Sequence, residues 1–331
     1  MGKDKKGFDK QVGFSVGVVV LLCVVGPYIY YAIQINSYGI KNKPANYFFQ
    51  DITDYWRVLV GAVVTQLFIA LCHIILHRPI MAIAKGSTVQ DRETHTKKAI
   101  QCFANASYFF ASFLWGYYVI KDAKWLPEWM GGEPEGGFKN WFVNAPFTHC
   151  PRPVLEYSLY TMGFHFGNLV THFKDMQRTD FYEMLLHHIA TTSLYFGFIF
   201  SNLMPVGATI AWLHDIADVP ANLSKGLSST RFENTTVAVF AVMMVLWTVT
   251  RLYWLPILIY NIYTNPIFSF PPECSQFNVY IILNGIFLSV LQALHIFWYC
   301  LFLVMLFNKI TKGKVEDIQS RVPQHDANKI E

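Results

Sequence analysis

The run LLHHIATT, residues 185–192, sets His187 and His188 side by side in a stretch otherwise apolar enough to lie in a bilayer. The run LHDIADVP, residues 213–220, adds His214, Asp215 and Asp218. Imidazoles titrate near neutral pH, so they serve as general bases or nucleophiles, and a carboxylate beside one can orient it and stabilise its cation. Residues advance about 100° each on a helix. From His214 at zero, Asp215 lies near 100°, Asp218 near 40°, Asn222 near 80° and Lys225 near 20°, about one face of a helix. From His187 at zero, Asp180 lies near 20°, Glu183 near −40°, His188 near 100°, Thr191 near 40°, Tyr195 near 80° and Asn202 near 60°, about a second polar stripe.

These stripes need elements that can hold them inside lipid. Of 331 residues, 53% are hydrophobic, 17% aromatic and only 15% charged, a membrane composition. Crossing the hydrocarbon takes about 20 apolar residues per helix, and eight stretches qualify: 14–33, 56–77, 99–120, 153–172, 181–204, 205–228, 236–260 and 278–307. The expectation is an all-α polytopic membrane protein, a bundle of about eight transmembrane helices around an intramembrane cavity. Residues 1–55 would form an N-terminal segment with a first anchor, 56–308 the main transmembrane domain, and 309–331 a polar tail too poor in apolar anchors to fold. MGKDKKGFDK lacks the marks of a transit peptide or a myristoylation signal, so the first span is expected to stay as an anchor.

Cation placement orients the bundle. With the N-terminus in the cytosol, 18 of the 26 Lys and Arg residues fall on that side, Lys225 near the end of the stretch 205–228 among them, and six on the other, leaving only Arg57 and Arg251 otherwise within spans. Both termini then face the cytosol, or the matrix of a mitochondrial inner membrane. The cations sit at span ends, so the expected partners are membrane lipids, with no nucleic acid. Arg251 reads as a cation that either snorkels or pairs with a carboxylate, in preference to binding an anionic group of a substrate. Cys150 and Cys274 fall in connections on the far side, where an oxidising lumen would let them pair. The long connection 121–152, rich in Trp, Pro and Gly, reads as a structured loop at the headgroup level, over one mouth of the bundle.

A charge facing lipid costs at least about 2.5 kcal/mol at mid-bilayer, so the two stripes should face each other or a wet cavity. The short turn between the fifth and sixth spans makes them an antiparallel hairpin that points both inward. A lone histidine such as His73, His77, His165 or His295 reads as a packing residue with one hydrogen-bond partner. Three imidazoles and two carboxylates converging in low dielectric read as proton-transfer machinery instead. A metal is the rival chemistry, since His73 and His77 form H-x-x-x-H. Membrane di-iron enzymes, however, use more histidines in H-x-x-H-H boxes, and here Met184 stands where that third histidine would be.

The segment DMQRTDFYEMLLHHIATTSLYFGFIFSNLMPVGATIAWLHDIADVPANLSK resembles the Lag1 motif of ceramide synthases, within the TRAM-Lag1-CLN8 (TLC) domain family. Asp175, Arg178, Asp180 and Phe181 match its D-x-x-R-x-D-F, and His187, His188 and Thr191 its H-H-x-x-T. Asn202 and Gly207 match part of N-x-x-R-x-G, and His214, Asp215, Asp218 and Lys225 match H-D-x-x-D and the last position of L-E-x-x-K. Pro205 stands in place of the motif's Arg and Asn222 in place of its Glu, while Thr161 and His165 replace an upstream Glu and Tyr.

The resemblance implies N-acylation of a sphingoid base by a fatty acyl-CoA in the endoplasmic reticulum membrane, with acyl-CoA as co-substrate, no cofactor and no metal. It also implies a homodimer or a larger membrane complex. His187, His188, His214, Asp215 and Asp218 would be the catalytic set, and Arg178, Asp180, Thr191, Asn202 and Lys225 would bind substrate, with Lys225 and Arg178 toward the CoA phosphates. Two other readings stay open. One is a TLC-type bundle without this activity, serving as a lipid-binding or structural subunit. The other is an enzyme for a different lipid amine or alcohol.

Overall fold

The computed structural model describes residues 2–44, 52–173, 180–264 and 276–312. Among them the chain is helical, without a strand longer than a single bridge between Ala84 and Thr230. Nine α-helices follow one another: α1 (Gly2–Asn42), α2 (Trp56–Ile83), α3 (Val89–Ile120), α4 (Arg152–His172), α5 (Phe181–Phe200), α6 (Met204–Ser228), α7 (Glu233–Trp247), α8 (Leu255–Thr264) and α9 (Gln276–Lys312). A π-helical segment, Thr248–Trp254, joins α7 to α8 in one continuous rod. Seven of the eight expected stretches lie on a helix or on this rod, and the other, 181–204, runs through α5 and across the turn to the start of α6. Four helices among the described residues are long and apolar enough to cross a membrane, namely Ser15–Asn42, Thr53–Ile83, Glu233–Thr264 and Phe277–Thr311. This is an integral membrane protein of all-α architecture. The tail beyond Lys312, and Cys274 with the bridge expected of it, lie outside the described residues.

Local chemistry explains where the elements begin. Thr88 accepts from the Asp91 amide at 3.1 Å while the Asp91 carboxylate takes the Thr88 amide at 3.2 Å, a reciprocal cap that starts α3. Hydrogen bonds to its carboxyl from the Thr88 side chain and the Thr88 amide hold Asp91 below its ordinary pKa. Pro153 and Pro205 occupy the first turns of α4 and α6, where a missing amide hydrogen costs nothing. Between α5 and α6 only three residues intervene. Asn202 among them takes a positive φ of 56°, and its side-chain amide donates to the carbonyls of Pro146 (2.6 Å) and Thr148 (3.2 Å). The hairpin turn is thereby tied to the 121–151 connection.

That connection packs its own core on top of the bundle. Trp141, Phe142 and Leu126 are fully buried, and Trp129 stacks on Trp254 at 4.6 Å. Burial pushes the Cys150 thiol pKa up, and the sulfur sits 3.9 Å from that of Met204.

Side chains that would be wasted in water cover the outside. Ile74, Leu67 and Val63 on α2 and Phe307 and Ile310 on α9 are more than half exposed, as a lipid-facing surface requires. Inside, small residues let backbones approach. A Cβ on Gly163 would meet the Val58 carbonyl oxygen at 2.5 Å and the Gly61 Cα at 2.9 Å, so α2 and α4 cross at these glycines. A buried polar knot joins α1 to α9 and α5: Tyr28 donates to the Asn284 side chain at 2.8 Å, and its ring stacks on Tyr280, whose hydroxyl lies 3.2 Å from Ser201. Such satisfied groups fix one register between helices whose apolar faces alone would slide.

Candidate active site

The α5–α6 hairpin carries both polar stripes into the interior, and α3, α4, α9 and the π-helical segment supply their partners. On α5 the His187 ring is half-buried, with its edge against Trp298 at 5.4 Å and His188 at 5.7 Å. Its Nδ1 is covered and has no hydrogen-bond partner among the described residues. That nitrogen is free to serve as a lone pair or as an N–H, according to the tautomer. His188 turns toward His172, with ring centres 5.2 Å apart, and His172 in turn contacts the Phe181 carbonyl at 2.9 Å.

On α6, His214 places Nδ1 2.7 Å from the Ile210 carbonyl, which sets the proton on Nδ1 and leaves the lone pair on Nε2. That Nε2 is buried without a partner among the described residues, and the ring lies 5.2 Å from His295 of α9. His295 is fully buried, with both ring nitrogens unpartnered among the described residues.

The carboxylates do something other than expected. Asp215 accepts from the Ser112 hydroxyl at 2.6 Å and from the Tyr157 hydroxyl at 3.2 Å. Asp218 pairs with Arg251 at 2.6 Å. Neither bonds an imidazole among the described residues, so the expected carboxylate–imidazole pairs do not form. The reason is rotational, since α6 turns Asp215 toward α3 and α4 while Asp218 meets the π-helical segment. The reading of Arg251 as a carboxylate's partner agrees with this geometry. Its guanidinium also lies 4.0 Å over the Trp247 ring and 3.4 Å from the His214 carbonyl.

Two cavities meet among these groups. The larger holds about 520 Å³ and the smaller about 70 Å³. His165, His187, Asp218 and Arg251 line both and so mark their junction. His188, Asp180, Asn222 and Lys225 line the larger cavity, and Thr191, His214 and Asp215 the smaller. The structure thus brings together eight of the ten residues singled out from the sequence. Asn202 lines neither cavity and is engaged at the hairpin turn, which separates it from the substrate role expected of it. Arg178 lies outside the described residues. His165, expected as a packing residue, lines both cavities instead, and Trp247 and Trp298 were not singled out because they come from other helices and carry no short-range pattern. No group of three His, Cys, Asp or Glu side chains among the described residues converges to hold a metal ion.

The larger cavity is two-sided. Gln66, Gln101, Asn105 and Asn168 present carboxamides from α2, α3 and α4. Val237, Phe240, Met243, Phe302, Met305 and Leu306 present an apolar wall from α7 and α9.

Comparison with known proteins adds relatives that share this region. The family described as TLC domain matches residues 98–304, which include every group just named from α4 to the π-helical segment. Ceramide synthase 4 of Mus musculus is 30% identical over 245 residues, covering 72% of this chain and 58% of that protein. Ceramide synthase hyl-1 of Caenorhabditis elegans is 27% identical and covers 69% of this chain and 61% of its own. Ceramide synthase hyl-2 of the same organism is 28% identical and covers 76% of each. The chain spans about three fifths of the length of the first two. With more than half of its residues matched to one domain, the chain belongs to the TLC domain family.

Proposed function

We propose that this chain is an acyltransferase that moves a fatty acyl group from acyl-CoA to the amine of a sphingoid base. The observation that carries this reading is the position of His187, its Nδ1 without a hydrogen-bond partner among the described residues, at the junction of the two cavities. The relatives named ceramide synthases support the substrate class. A cavity of about 520 Å³ is in the range of small-molecule sites, and its apolar wall suits an alkyl chain while its carboxamide wall suits the amides of the CoA arm. Lys225 and Lys309 line the same cavity and are placed to meet the CoA phosphates, and by its place in the motif alone we assign Arg178 the same role.

The imidazole has two ways to use its lone pair, and both balance. As a general base it takes a proton from the ammonium, and the freed amine attacks the thioester carbon. The C–N bond forms, the C–S bond breaks, and the leaving thiolate collects a proton. As a nucleophile it first takes the acyl group as an acyl-imidazole, releasing CoA, and the amine then displaces the imidazole. His188 and His214 are the neighbouring imidazoles that exchange the proton in either route. A thioester already carries the driving force, so the reaction calls for no metal and no nucleotide. We place the enzyme in the endoplasmic reticulum membrane, with eight crossings and both termini in the cytosol.

The test is an assay of the purified protein with acyl-CoA and sphinganine, with the product read by mass spectrometry. An amide product and free CoA in equal amounts are expected. If the protein retains a lipid but forms no amide with sphinganine or any other long-chain amine, the acyltransferase reading fails and the lipid-binding subunit replaces it.

A further inference from the structure

Arg251 is the charge that the reading above leaves unused. It sits at the fourth position of the π-helical segment Thr248–Trp254, and such segments interrupt α-helices most often at functional sites. The wider turn redirects the side chain inward, where it is only 4% exposed. A guanidinium built purely for an ion pair uses its fork, two parallel N–H donors on one carboxylate. Arg251 does not. Its contacts to Asp218 and to the His214 carbonyl both run through Nη2, and the Trp247 face supports the plane of the group. Nε is buried and unpartnered among the described residues, and Nη1 makes no hydrogen bond among them. These spare donors belong to a residue that lines both cavities together with His187.

We propose that Arg251 is the hydrogen-bond donor to the thioester carbonyl oxygen, and that Asp218 is a positioning residue that holds it there. The inference rests on the acyl-transfer reading. When a nitrogen adds to the thioester carbon, the C=O π pair moves onto oxygen. When the intermediate collapses, that pair re-forms the double bond and the C–S bond breaks, so the oxyanion exists only between the two steps. A fixed cation in a dry site stabilises that transient charge more than the neutral carbonyl, which is the condition for raising kcat.

The experiment compares the purified wild type with Arg251→Gln and Arg251→Lys, assayed with acyl-CoA and sphinganine. Removing one oxyanion donor lowers kcat by about 10²–10³-fold, and that loss is expected for Arg251→Gln, with a smaller one for Arg251→Lys. The KM for acyl-CoA and the affinity for an S-alkyl-CoA thioether, which lacks the carbonyl, should both stay near wild type. An Arg251→Gln enzyme with a wild-type kcat overturns the inference. So does a loss of kcat accompanied by equally weakened thioether binding, the mark of a merely structural role. Should neither variant fold, isotope-edited infrared spectra of acyl-CoA labelled with ¹³C at the carbonyl, bound to His187→Ala protein, decide the matter. The bound carbonyl stretch should fall below its value in water, and an unshifted band overturns the inference. The infrared arm needs no turnover, so a wild type that makes no amide defeats the acyl-transfer reading separately.

Discussion

Asp218→Ala removes one half of the Asp218–Arg251 pair and leaves the other half in place. The surviving Arg251 side chain is only 4% exposed, and the remaining supports of its guanidinium are the Trp247 face and a 3.4 Å contact to the His214 carbonyl. Breaking a buried pair from one side costs about 3–5 kcal/mol, because an uncompensated charge stays in low dielectric. The Asp218 side chain is 24% exposed toward the cavity, so water can partly take its place, and the lower end of that range applies. The cation–π contact with Trp247 survives the change and retains about 0.5–2 kcal/mol. A net loss of about 3 kcal/mol is therefore expected. The assay is reversible denaturant unfolding in detergent micelles, run as a cycle with Arg251→Met and the double variant. Removing both charges should recover at least about 2 kcal/mol of the single-variant loss. The reasoning is refuted if Asp218→Ala is as stable as wild type, or if the double variant is no better than the single.

Other perturbations separate architecture from chemistry. Gly163→Ala should weaken the α2–α4 crossing by about 1–3 kcal/mol, since the new Cβ would meet backbone that cannot move aside, and thermal unfolding checks it. Asn202→Ala should cost about 1–3 kcal/mol in the same measurement, through two lost hydrogen bonds and an alanine forced to positive φ, while kcat stays unchanged. Lys225→Ala should raise the KM for acyl-CoA several-fold, by roughly the 1–2 kcal/mol of one charged contact, and should flatten the salt dependence of KM with little effect on kcat.

The parts of the fold that depend on local pattern were legible from the residues alone. Long apolar runs located the α-helices among the described residues, and the tight turn after Phe200 identified the hairpin that carries His187 and His214. Helical spacing also told which residues of α5 and α6 face inward. Contacts between helices far apart in sequence were not legible. Asp215 meets Ser112 and Tyr157, and Asp218 meets Arg251, because α3, α4 and the π-helical segment pack beside α6, and no spacing rule encodes that packing. The seven-residue π-helical segment has no proline or glycine to announce it, so the inward turn of Arg251 emerges only from the tertiary structure. Asn202 shows the converse. Its place in the motif suggested a ligand, whereas its positive φ and its bonds to the 121–151 connection give it the work of holding a turn.

The most direct test of the account is the turnover number of His187→Ala in purified, correctly folded protein, with acyl-CoA and sphinganine saturating. Loss of at least 10²-fold, the scale of one proton-transfer or nucleophilic group, is the expected result. A kcat within about threefold of wild type would show that acyl transfer does not pass through the imidazole at the cavity junction, and would contradict the account at its centre.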